Sequence, residues 1–109
     1  MQINGVEYKE KSISLQNLKR STALVVELGK LEEKMDADPI NDELQKQFEA
    51  CWLKLLQIHL EKYDGLEYGK LVSVEDYVKV LSFFGDTATK YLDGLRKHSE
   101  TLAASKAKA

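Results

Sequence analysis

The sequence predicts a mainly α fold, a small helical bundle of three to four helices with a short N-terminal β-hairpin, and three observations predict it. Apolar residues keep a helical spacing without a break from Asp38 to Gly65. A second stripe of the same period runs from Leu15 to Met35. Alternation with period two, the mark of a strand, is confined to residues 2–9.

Taken in order, residues 2–9 read as the hairpin, because Ile3, Val6 and Tyr8 flank Asn4-Gly5, a pair that readily adopts positive φ angles. Two strands this short bury too little surface to stand alone. They are expected to lie on the helices or to pair with another strand, from the same chain or a second copy. Ser12 and Ser14 are candidate N-caps for a first helix over about 14–35, with Leu15, Leu18, Val25, Leu28, Leu31 and Met35 facing inward and Leu24 and Val26 broadening the face. The short link from Met35 to Pro39 favours an antiparallel neighbour. In the central helix, Ile40, Leu44, Phe48, Cys51, Leu55 and Ile58 form the stripe, and Trp52, Leu56 and Tyr63 widen it. Asp38 is its expected N-cap, Pro39 its first residue and Gly65 its C-terminal cap.

Ser73 and Asp76 resemble a capping box opening a third helix, about 74–84, with Val74, Val78, Leu81 and Phe84 inward. Gly85 is expected to interrupt it. Asp86 would then cap a fourth helix that buries Ala88, Tyr91, Leu92 and Leu95. Residues 1–98 thus form one helical domain, and 99–109, rich in Ala and Lys with almost no face to bury, a frayed basic tail.

Composition narrows the function classes. A chain of 109 residues has room for one modest core, and 43% apolar with 31% charged residues suits a soluble globular protein. Sixteen Lys and Arg against eighteen Asp and Glu leave a net charge of −2, so the basic excess that phosphate-backbone binding requires is missing and no nucleic-acid partner is expected. The start lacks the basic and apolar regions of a signal peptide, and no apolar run reaches the length of a membrane span; a cytoplasmic protein without a membrane partner is expected. Cys51, the single cysteine, lies on an apolar face beside Trp52 and reads as a small buried hydrophobe.

No chemistry-bearing constellation emerges. His59 and His98 are far apart, and neither stands at a catalytic-zinc spacing. A calcium loop starting at Asp36 would put Ile40, Asn41 and Gln47 where an oxygen ligand, glycine and glutamate are needed. There is no phosphate-binding glycine loop and no nucleophile elbow. No metal or cofactor and no catalytic residue is therefore expected. Lys9, Lys11, Lys19 and Arg20 are interleaved with carboxylates and read as a solvated face. Val25-Val26 and Phe83-Phe84 are more informative, because adjacent helical residues point about 100° apart and cannot both enter a narrow seam. Val25, Val26, Phe83 and Phe84 are accordingly the candidate partner-binding residues, one member of each pair being expected at the surface, with a wide core stripe as the equal or better alternative explanation of the pairs.

The order of elements also carries a resemblance. Ile3-Asn4-Gly5-Val6-Glu7-Tyr8-Lys9, a charged amphipathic helix, Gln47-Phe48-Glu49-Ala50-Cys51-Trp52 and Ser73-Val74-Glu75-Asp76-Tyr77 together resemble the tail assembly chaperones of siphophages and prophages, over residues 2–95. That resemblance implies a non-enzymatic helical protein, working in the bacterial host cytoplasm, that keeps the helix-rich tape-measure protein soluble and helps recruit tail-tube subunits. An inhibitor or adaptor that binds one folded target is the alternative class. Homo-oligomerisation is a further use of the same apolar surface.

Overall fold

The computed structural model describes the backbone of residues 1–108 and the side chains of residues 1–99. It is mainly helical, with a two-stranded antiparallel hairpin at the N-terminus. Strands β1 (Gln2–Ile3) and β2 (Val6–Glu7) precede helices α1 (Leu15–Ala37), α2 (Asp42–His59) and α3 (Val74–Lys108), with one 3-10 turn at Tyr68–Lys70. Asn4 and Gly5 take φ of +52° and +77°, the left-handed pair a two-residue hairpin turn demands. Ile3 is buried, which anchors the hairpin on the helices.

The hairpin strands pair only with each other, and the segment just after them, around Glu10, bridges to the end of α2. Lys11 N–H donates to His59 O at 2.8 Å, and Glu61 N–H donates to Lys9 O at 3.0 Å, around a bridge between Glu10 and Leu60. This pairing also explains why α2 ends at His59 and not near Gly65. Leu60 is drawn into an extended conformation, φ −121° and ψ 140°, by bonds to a segment some fifty residues earlier. Gly65 does adopt φ +91°, but within the loop that follows.

The start of α2 differs as well. Asn41, not Asp38, is the N-cap: its side-chain oxygen accepts from Glu43 N–H and Leu44 N–H at 3.1 and 3.2 Å. Asp38 instead closes α1, its N–H donating to Lys34 O at 3.0 Å. Pro39 and Ile40 form the turn between the two, so Ile40, expected on the stripe, is 89% exposed. Ser14 caps α1 as its sequence predicts, accepting from Asn17 N–H.

The expected third and fourth helices are a single helix. α3 passes through Gly85 without a break, because the glycine costs only about 1 kcal/mol relative to Ala while Val80, Phe84 and Ala88 continue one buried face across it. That face is rotated from the expected one: Val74 is 80% exposed and Val78 half-exposed, whereas Tyr77, Val80, Leu81 and Phe84 pack inward. Trp52 sets the rotation. Its ring stacks on Tyr77 at 5.3 Å and meets Phe84 edge-on at 5.2 Å, and two aromatic contacts outweigh two valines. Asp76 is buried on the same helix and accepts a 2.6 Å hydrogen bond from Asn4 Nδ2, pinning the hairpin tip to α3. The α3 backbone runs on through the segment expected to fray. That expectation covers residues 99–109, of which residue 109 and the side chains of 100–108 lie outside the described ones.

Candidate functional site

The four candidate contact residues do not form one surface. Phe84 is fully buried in the core, Val25 and Phe83 are half-buried against it, and only Val26 stands out, at 53% exposed. Phe83 has a specific neighbour, the His59 ring, at 5.3 Å edge-on. Val25-Val26 is thus split between inside and outside, whereas Phe83 and Phe84 both pack against the core, so the exposed part amounts to one valine.

A better-formed apolar surface lies elsewhere. Leu15 and Leu18 of α1 face Thr87, Tyr91 and Leu95 of α3 across an open cleft of about 420 Å³ whose wall is almost wholly apolar. Leu15 is 76% exposed and Leu95 48%, and Leu92 beside them is half-exposed. All of these were expected to point into the core. They do not, because α2 ends beside Phe83, and beyond that level the described part of α3 faces the first turns of α1 and the segment around residues 10–13 and no longer α2. The helical period correctly marks the apolar face; what sequence lacks is the length of the helix that would have covered it.

His59 and Ser21 make a second arrangement that sequence reasoning missed. Ser21 Oγ and His59 Nε2 are 2.6 Å apart, and both residues are almost wholly buried. The spacing matches that of a nucleophile and its base. Ser21, however, sits mid-helix under the core with no exposure through which a substrate could approach, so the pair is a satisfied polar contact inside the bundle. Cys51 is likewise occupied, its thiol donating to Leu24 O at 3.2 Å, and burial pushes its pKa up, with Glu27 adding to the rise. Burial, then the neighbouring Glu32, pushes the Tyr77 phenol up to about 12.

Burial lowers the His59 pKa below its ordinary 6.5, against a smaller opposing pull from Glu10. Glu10, Lys11, Asp86 and Lys90 line a shared cleft with the imidazole. The unfolded chain therefore takes up a proton near 6.5, and the folded chain only at lower pH. The stabilising contribution is complete above 6.5, begins to be lost as pH falls through 6.5, and stops falling once the folded imidazole is protonated too. The urea midpoint should thus drop between about pH 7.5 and 5.5, and the His59→Phe variant should show a flatter profile over that window.

Among the described residues no three His, Cys, Asp or Glu side chains converge as a metal-binding group, and no described helix is long and apolar enough to cross a membrane. No family model, characterised protein or solved structure matches the chain.

Proposed function

We propose that this protein is a non-enzymatic, helix-binding chaperone of phage tail assembly that holds a tape-measure protein soluble. The observation that carries the reading is the open apolar cleft between Leu15 and Leu18 on α1 and Tyr91 and Leu95 on α3. A groove between two helices accepts the apolar stripe of a third, with anchors spaced at i, i+3 and i+4. The resemblance of arrangement supplies the identity of that partner, a long helical protein with unburied apolar seams. Val26 is exposed on α1 but does not line this cleft, and Phe83 and Phe84 pack α3 against the core.

Co-expression with the tape-measure protein of the same tail gene cluster tests the proposal. A complex should co-purify and the soluble fraction of the tape measure should rise. Leu15→Asp and Leu95→Asp, both at exposed positions, should each weaken capture by about tenfold or more without changing the circular dichroism spectrum. No complex and no gain in solubility would move the protein to the inhibitor or adaptor class.

A further inference from the structure

On the opposite side of α1 lies a larger cleft, of about 570 Å³, between α1, α2 and the segment that leads from the hairpin into α1. Its charged wall is Lys11, Arg20 and Lys54, its polar wall includes Asn17, and Leu24 and Ile58 form a half-buried apolar floor. The volume falls within the roughly 300–1,000 Å³ usual for small-molecule sites. No carboxylate lines it, in a chain whose acidic residues outnumber its basic ones. None of the three cations forms an ion pair among the described residues, whereas Lys9, Lys70, Lys79 and Arg96 all do. Glu27, one turn beyond Leu24, stays outside the walls.

The backbone adds to the same sign. Lys11 Nζ donates to Gln57 O at 2.8 Å, so a carbonyl at the electronegative end of α2 is already satisfied. The first turn of α1, on the other wall, carries no acidic residue to offset its electropositive end. An apolar floor beneath three cations that form no ion pair among the described residues, of which Lys11 is shared with the neighbouring cleft that Glu10 and Asp86 line, fits a molecule with an apolar body and an anionic end.

We infer that this cleft binds a small organic anion, with its alkyl or aryl body on Leu24 and Ile58 and its carboxylate or phosphate between Lys11, Arg20 and Lys54. The site is separate from the apolar cleft of the preceding proposal and does not depend on it. The test is titration of the ¹⁵N-labelled protein with hexyl phosphate, hexanoate and 1-hexanol, followed by amide chemical shifts. Hexyl phosphate and hexanoate should give saturable shifts clustered at Asn17, Arg20, Leu24, Lys54 and Ile58, the dianion binding tighter, and raised salt should weaken both. 1-Hexanol should not saturate there. Arg20→Gln and Lys54→Gln, at exposed positions, should each lower hexyl phosphate affinity about tenfold with the thermal midpoint unchanged. Shifts that do not saturate, that gather at Leu15, Tyr91 and Leu95, that are equally strong with 1-hexanol, or that survive both substitutions would overturn the inference.

Discussion

Replacing Trp52 by Ala should cost about 3–5 kcal/mol, a large share of the roughly 5–15 kcal/mol that holds a domain of this kind together. Trp52 has no exposed surface, and its ring is within 6.0 Å of four others: Phe48, Tyr68, Tyr77 and Phe84. Those rings come from α2, the loop after it and α3, so one side chain joins three segments. Its Nε1–H also donates to Leu66 O at 2.8 Å, which fastens the loop to the core. Trp52→Ala removes the ring and leaves a buried carbonyl without its donor. Trp52→Phe keeps most of the ring contacts and loses the hydrogen bond, so it should cost less, about 1–3 kcal/mol. Urea denaturation followed by circular dichroism separates the two, since Trp52 is the sole tryptophan and its replacement abolishes the tryptophan fluorescence. An unchanged midpoint in Trp52→Ala would mean that the central helix turns a different face to the core.

Features governed by neighbouring residues were legible in the sequence. The Asn4-Gly5 turn, the Ser14 cap and the buried faces of Leu28, Leu31, Phe48, Trp52 and Leu55 follow from spacing and cap chemistry alone. What failed depended on partners distant in sequence. Asp38 and Asn41 are both N-cap residue types, and Asn41 takes the role at α2, while Asp38 closes α1 and its Oδ2 accepts from Asn41 Nδ2 at 3.1 Å. The end of α2 was decided by Lys9 and Lys11, and the rotation of α3 by Trp52. Asp76 N–H does donate to Ser73 Oγ at 3.4 Å, the first half of the expected capping box, but its carboxylate is held by Asn4 across the fold and does not return to the helix end. Neither cleft was legible for the same reason. Leu15 and Leu95 meet only once α2 is known to stop at His59, and Lys54 joins Lys11 and Arg20 only once α1 and α2 are docked.

The Ser21–His59 contact should behave as a coupled unit. In Ser21→Ala the imidazole loses its 2.6 Å partner inside the core, and a buried polar atom left unsatisfied costs about 1–3 kcal/mol. In His59→Phe the ring contacts with Phe83 and Phe84 are largely kept, at 5.3 and 5.9 Å in the native protein. The stranded Ser21 hydroxyl can then turn back to a carbonyl one helical turn earlier, so this substitution should cost less, about 1 kcal/mol. The double variant has neither group to leave unsatisfied. Its cost should fall short of the sum of the single costs by about 0.5–3 kcal/mol, the range found for directly bonded pairs. Urea midpoints of the four proteins at about pH 7.5, above the range in which the imidazole of the unfolded chain takes up a proton, give the coupling directly. Strictly additive costs would mean that the hydroxyl and the imidazole do not rely on each other, and the flattening of the pH profile in His59→Phe would then have to come from the loss of the buried imidazole alone.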